Sequence, residues 1–205
     1  MELLSILIVV VILLVSIVIH EIAHGATAYW LGDDTAKVAG RLTLNPLAHI
    51  EPTISIIMPL VCIIAGLPVI GGAKPVPVNT RKINGGEWGM ALVALAGPLS
   101  NFLLALIGYG IFSLLNISSG LFGSILVLFV KINLGLMLFN LLPIPPLDGS
   151  KIIYPIAPEF VQDIIEKLEK NSWLVFVIIL LFTAQISAVI GMVQSWILSF
   201  FVAIF

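Results

Sequence analysis

Long apolar runs alternate with short polar stretches along most of the chain. The first run extends from about Leu3 to Trp30, and a helix needs about 20 apolar residues to cross a membrane. Comparable runs extend over residues 89–115, 121–142 and 173–205. We expect the last run to hold one spanning helix and a C-terminal helix that either spans or lies flat. The pattern predicts an all-α integral membrane protein, a bundle of about five to six transmembrane helices.

Prolines and glycines interrupt the apolar stretch between residues 53 and 79. Residues 53–67 favour a helix, but Pro75 and Pro77 cannot lie inside one because proline lacks the amide donor. We therefore predict that Ala73 to Asn79 is extended, as an edge or irregular strand. The earlier stretch from Ala36 to Leu44 alternates partly between apolar and polar residues, which favours a short strand or hairpin.

Residues 158–170 show a different pattern, in which charged residues alternate with Val161, Ile164, Ile165 and Leu168. This pattern predicts an amphipathic helix at the membrane surface. We interpret residues 1–205 as a single polytopic domain, with a core over 1–150 and C-terminal amphipathic and transmembrane helices over 151–205.

The composition supports the membrane interpretation: 60% of the residues are hydrophobic and 10% are charged, against about 25% charged in a soluble domain. A net charge of −2 without a basic cluster argues against nucleic acid as a partner. The single Cys62 excludes a disulfide within the chain and a cysteine-based zinc site. The N-terminus lacks a positively charged region, so we expect no cleaved signal peptide.

The candidate chemistry lies at the end of the first run, in His20-Glu21-Ile22-Ala23-His24. On a helix, residues four apart share a face, so His20 and His24 can bind one metal ion. Glu21 can then take a proton from water that the metal activates. Ionisable groups at this depth are costly unless they have a functional partner. The alternative is a chance match in which the histidines only end the helix.

The topology depends on whether Asp148, in the proline-rich stretch after the run over residues 121–142, joins His20 and His24. If it does, the ends of the first run and of the run over residues 121–142 must face the same side of the membrane. One ordinary crossing by residues 53–70 would place them on opposite sides. We therefore predict a re-entrant segment near the active site, in which a helix enters and the extended strand returns across the ~30 Å core.

The distribution of cations agrees with re-entry. Nearly all lysines and arginines then fall on the side of the metal site, whereas the loop over residues 116–120 has none. The positive-inside rule makes that side cytoplasmic. Lys131 is the exception, because it lies inside the run over residues 121–142; we interpret it as reaching toward the outer interface, with a role in a pathway as the alternative.

Five stretches carry a resemblance to a known family: residues 20–24, 40–46, 73–79, 96–101 and 140–149. With these stretches the sequence resembles the site-2 proteases, the intramembrane zinc metalloproteases, and among them the compact subgroup without a PDZ or CBS domain. The resemblance implies one Zn²⁺ per chain, bound by His20, His24 and Asp148, and Glu21 as the general base. It also implies transmembrane proteins as substrates and a multi-pass protein of the cell membrane.

Two residues are candidates for binding substrate. Val76 lies in the extended stretch, whose main chain could pair with an unwound substrate. Asn140 could bind the substrate backbone or stabilise an oxyanion, or it could cap its helix. We expect Asn101 and Asn133 to make hydrogen bonds between helices, and we expect His49 to be a loop residue. The rival functions are a membrane metal transporter, which needs further ligands along a path, and a non-proteolytic scaffold, which needs no Glu21.

Overall fold

A computed structural model describes residues 2–52, 57, 74–117 and 120–205. Within these residues the fold is helical. The α-helices are α1 (Glu2–Trp30), α2 (Thr35–Val38), α3 (Gly86–Leu114), α4 (Leu121–Asn140), α5 (Asp148–Ile153), α6 (Glu159–Lys170), α7 (Ser172–Leu181) and α8 (Thr183–Ile204). Two 3-10 helices, Pro46–His49 and Tyr154–Ile156, lie between them.

The prediction of an all-α membrane protein is confirmed, but the number of spanning helices is not. Among the described residues, four helices are long and apolar enough to cross a membrane: α1, α3, α4 and α8. The predicted count was about five to six. Helix α7 has ten residues, about 15 Å of length, which is too short to span. The chain is therefore a multi-pass membrane protein with fewer described crossings than expected.

Most of the predicted re-entrant segment, residues 53–56 and 58–73, lies outside the described residues. Residues 74–79 are neither helix nor strand, so the expected ladder of an edge strand does not form among the described residues. The strand or hairpin predicted for 36–44 is wrong. Thr35–Val38 is a short helix, followed by turns.

A buried aspartate joins the end of α1 to the polar loop before α3. Asp33 accepts hydrogen bonds from the Thr35 amide (3.0 Å) and the Asn79 amide (2.6 Å). Burial raises the pKa of Asp33, but these hydrogen bonds outweigh burial and lower it. Lys82 pairs with Asp34 at 2.7 Å. Asn79 and Lys82 therefore lie beside the end of α1, as the predicted placement of Lys82 requires.

The core of the bundle lies where α3, α4 and α8 meet. Its members are Ala105, Val130, Leu134, Met137 and Phe201. Many large apolar side chains point outward from the spanning helices, for example Leu7 in α1, Ile107 in α3 and Trp196 in α8. Such a surface is unfavourable in water and favourable in lipid, as the membrane interpretation requires.

The C-terminal part contains the predicted amphipathic helix. Ile165 of α6 is buried while the charged residues around it are exposed, so the helix is amphipathic as predicted, and its place at the membrane surface stays a prediction. Helices α7 and α8 are separated at Phe182, where the Thr183 hydroxyl donates to the carbonyls of Ile179 and Leu180, both at 2.9 Å. Side-chain bonds of this kind compete with the helical pattern and favour a bend.

Candidate active site

The structure brings the three predicted metal ligands together. His20 and His24 lie one turn apart on α1, and both are more than nine-tenths buried. Asp148 is the first residue of α5 and lies against them, although 128 positions separate it from His20. Among the described residues, these three are the one group of His, Cys, Asp or Glu that could hold a metal ion.

The chain after α4 is shaped to deliver Asp148. Pro143, Pro145 and Pro146 exclude helix, and Leu147 is extended, so helical geometry resumes only at Asp148. Gly149 then fits against the carbonyls of Leu141 and Leu142, where any Cβ would clash. A side chain at position 149 would therefore push the Asp148 carboxylate away from the histidines.

Helix α3 packs directly on the two imidazoles. At Gly97 an added Cβ would lie 2.6 Å from His20 Cε1 and 2.5 Å from His24 Cε1. The next residue, Pro98, is buried inside α3 and has no amide to donate to the preceding turn. In that turn the Val93 carbonyl accepts a hydrogen bond of 2.7 Å from His24 Nδ1.

His20 is held through its other ring nitrogen by two buried amides. His20 Nδ1 lies 2.6 Å from Asn101 Oδ1. Asn101 Nδ2 lies 3.0 Å from Asn133 Oδ1 of α4, and Asn133 Nδ2 donates to the Phe129 carbonyl at 2.9 Å. The expectation that Asn101 and Asn133 link helices is confirmed, but sequence reasoning missed the contact with His20. The signal available in the sequence was the spacing of Asn101, whose side-chain amide lies four residues after Gly97 and so on the same face of an apolar helix.

The three ligand atoms form a compact triangle. His20 Nε2 lies 3.0 Å from His24 Nε2, and the Asp148 Oδ2 atom lies 3.1 Å from the first and 3.3 Å from the second. Burial raises the pKa of the Asp148 carboxyl, but the two imidazoles outweigh burial and hold that pKa well below its ordinary value. A carboxylate oxygen and two ring nitrogens thus face one point.

This donor set fits a zinc ion. Because the Val93 carbonyl can only accept, His24 carries its proton on Nδ1 and directs the Nε2 lone pair toward the triangle. Tetrahedral zinc with bonds of about 2.0–2.1 Å separates its ligand atoms by about 3.3 Å. The observed separations match this spacing. Two nitrogens and one oxygen leave a fourth position open, as in catalytic zinc sites.

Glu21 lies beside the histidines and is held by the segment over residues 74–79. Its Oε2 atom accepts a hydrogen bond of 2.7 Å from the Val76 amide. The segment is fixed in turn by the buried Arg41, whose Nη2 donates to the Lys74 carbonyl at 2.6 Å, and by the His49 carbonyl, which accepts from the Lys74 amide at 2.8 Å. Two amides of this segment, those of Lys74 and Val76, therefore donate within the chain, although we expected the main chain here to be able to pair with substrate.

A cavity of about 390 Å³ opens onto these groups. It is lined by the three ligands and by Glu21, Val76 and Asn140, among others. The Asn140 side-chain amide donates to the Leu136 carbonyl at 2.9 Å, as expected of a residue at a helix end. Its remaining hydrogen-bonding capacity can face the cavity. His49 is buried in its loop, where its ring contacts the Thr43 carbonyl.

Comparison with known proteins identifies the family. The family model described as peptidase family M50 matches residues 116–184, which include Asp148. "Putative zinc metalloprotease YwhC" of Bacillus subtilis is 41% identical over 179 residues, which cover 83% of this chain and 78% of that protein. The chain belongs to peptidase family M50. The resemblance to the site-2 proteases, which form this family, is thereby confirmed.

Two mycobacterial relatives also carry the name of a zinc metalloprotease. "Putative zinc metalloprotease Rip2" of Mycolicibacterium smegmatis is 30% identical over 82% of this chain, and that of Mycobacterium tuberculosis is 36% identical over 71%. The chain spans 64% and 56% of the lengths of these two proteins, less than two thirds. No solved structure matches the chain. Membership of M50 makes it a metallopeptidase homologue in a membrane environment.

Proposed function

We propose that the chain is an intramembrane zinc metalloprotease that hydrolyses peptide bonds within or near transmembrane segments of other membrane proteins. The observation that carries the proposal is the convergence of His20, His24 and Asp148 beside Glu21, in a cavity lined in part by the spanning helices α1, α3 and α4. Membership of M50 supports it.

The ligand residues would hold one zinc ion, which when bound activates water and polarises the scissile carbonyl. Glu21 takes the proton from the attacking water and later delivers it to the leaving amine. The Val76 amide binds Oε2 of Glu21 and so leaves Oε1 for this proton transfer. Asn140 is positioned along the cavity to contact the substrate backbone.

A substrate helix must unwind before its peptide bonds can reach Glu21, because helical amides and carbonyls are already paired. The extended segment over residues 74–79 lies at the cavity and offers its main chain to the unwound strand. Since the Lys74 and Val76 amides are occupied, pairing would use the remaining groups, such as the Val78 amide, or would displace Val76 from Glu21.

We place the site toward the cytoplasmic side of the cell membrane. Lysines and arginines cluster after α1, before α3 and after α4, at the end of the bundle where the site lies; they are Lys37, Arg41, Arg81, Lys82 and Lys151. Positive residues remain on the cytoplasmic side of most membrane proteins. The pairing of Lys82 with Asp34 supports placing the two loops on one side.

The rival functions have less support. A metal transporter needs several ligand groups along a path, whereas in the described part of the chain the candidate ligands form one cluster. A scaffold would need neither a general base nor a complete ligand set.

Glu21→Gln tests the proposal. Glutamine still accepts from the Val76 amide but cannot take a proton, so purified variant should keep its zinc and lose cleavage of a co-expressed membrane substrate. Glu159→Gln, an exposed change of the same kind on α6, should leave cleavage unchanged. Equal cleavage by Glu21→Gln and wild type would reject the mechanism.

A further inference from the structure

Hydrogen bonds link three buried side chains on three helices, and the last of them is the candidate metal ligand His20. The path runs from Asn133 on α4 through Asn101 on α3 to His20 on α1. Asn101 and Asn133 are completely buried in the apolar interior. Buried amides without partners are costly, so a path of this kind is stable only when every member is paired.

The direction of each bond in the path is fixed from one end. The Phe129 carbonyl can only accept, so the Asn133 nitrogen faces it and the Asn133 oxygen faces Asn101. Asn101 must then present its nitrogen to Asn133, and this nitrogen also faces the Ser16 carbonyl at 3.4 Å. Its oxygen is left facing His20 Nδ1.

The orientation of Asn101 determines where His20 carries its proton. An oxygen acceptor at 2.6 Å requires the proton on Nδ1, which leaves the Nε2 lone pair facing His24 and Asp148. If Asn101 were reversed, its oxygen would face two other oxygens, and its nitrogen would draw the proton of His20 to Nε2. The ligand atom would then be blocked.

We propose that Asn133 and Asn101 act in series as positioning residues that set the tautomer of His20 and thereby the metal affinity of the site. Asn133 does this without touching a ligand residue. The inference rests on the proposed zinc site, and it makes the ligand geometry depend on the packing of α4 against α3.

Zinc competition against a chelator tests the series in the full-length protein in detergent. Asn101→Leu should lower zinc affinity by about 10- to 100-fold, the usual effect of losing a histidine's outer partner. Asn133→Leu should lower it by about 10-fold, and the double variant should match Asn101→Leu because the residues act in series. Asn133→Asp should retain most of the affinity, because a completely buried carboxylic acid is expected to stay neutral, so that its O–H donates to the Phe129 carbonyl and its other oxygen accepts from Asn101.

Two controls separate positioning from general packing. Leu134→Ala removes a buried neighbour of Asn133 and should lower thermal stability while zinc affinity stays within about two-fold. Ser16→Ala removes a buried hydroxyl that has no partner among the described residues and leaves the Ser16 carbonyl in place. It should change neither stability nor zinc affinity appreciably.

The tautomer itself is measured by nitrogen NMR of labelled histidine in metal-free protein. Wild type should show His20 protonated on Nδ1, and Asn133→Leu should shift it toward Nε2. Unchanged zinc affinity and tautomer in Asn133→Leu would overturn the inference, as would an equal loss of affinity in Leu134→Ala. If wild type bound no zinc, the proposed function would fail, while the NMR result would still decide the inference.

Discussion

Gly97→Ala gives the sharpest test of how α3 packs on the ligand residues. The new Cβ would lie 2.5 Å from His24 Cε1 and 2.6 Å from His20 Cε1, whereas carbon atoms pack at about 3.5–4.0 Å. The imidazoles, which are tethered to Val93 and Asn101, must therefore retreat by about 1 Å. Metal sites tolerate deviations of about 0.2 Å, and a 1 Å misplacement can cost about 100-fold in rate.

The global stability should change much less than the activity. Alanine favours the helix over glycine by about 0.5–1 kcal/mol, which partly offsets the cost of about 1–3 kcal/mol for overpacking. We therefore expect Gly97→Ala to stay folded, to lose most of its bound zinc, and to cleave a membrane substrate about 100-fold more slowly. Zinc content, thermal unfolding and cleavage should be measured on the same preparation.

Gly135→Ala is the matched control, since it adds the same methyl group to α4 at a point where no atom of the described residues lies within 4 Å. It should retain zinc and full cleavage. Normal zinc content and cleavage in Gly97→Ala would refute the close packing of α3 against the histidines.

Two further predictions concern residues 74–79, the segment that holds Glu21, the proposed general base. Arg41→Met removes the donor to the Lys74 carbonyl, so cleavage should fall by about ten-fold or more while zinc content stays unchanged. Arg81→Met, at an exposed position, should have no effect. Equal cleavage rates for the two variants would contradict the role of Arg41 in fixing this segment. Asp33 has a lowered pKa, so its stabilising contribution is present above about pH 4 and is lost as the pH falls through the folded-state pKa. Asp33→Asn should therefore show a flatter loss of thermal stability in acid than wild type, and curves of equal slope would contradict the pairing with Asn79.

The parts of the fold that depend on local pattern were predictable from the sequence. Helix α1 and its spacing of His20 and His24 follow from one apolar run and the helical repeat. Two helices were expected in residues 173–205, but the position of the break between α7 and α8 was not predictable, because the run is apolar on both sides and only the contact of Thr183 with Ile179 and Leu180 marks it. The first of the two helices is also too short to span, whereas the C-terminal one is long enough.

The candidate site also has a part that was predictable from the sequence and a part that was not. The residue types and spacing around Glu21 indicate metal chemistry, whereas the place of Asp148 came from a family resemblance. The contacts of Asn101 with His20 and of the Val76 amide with Glu21 join residues 81 and 55 positions apart. No local pattern encodes such pairs, since they depend on how the helices pack.

The distance of Asp148 from His20 along the chain has a consequence for the order of events during synthesis. Ribosomes add about 5–20 residues per second, so the 128 positions between the two ligands correspond to roughly 6–25 seconds of elongation. Throughout that interval the first helix already carries two histidines and Glu21 but lacks the carboxylate. Under the proposed mechanism, a nascent chain cannot attack its neighbours in the insertion machinery, and the site becomes complete only after the fourth described helix, α4, is in place.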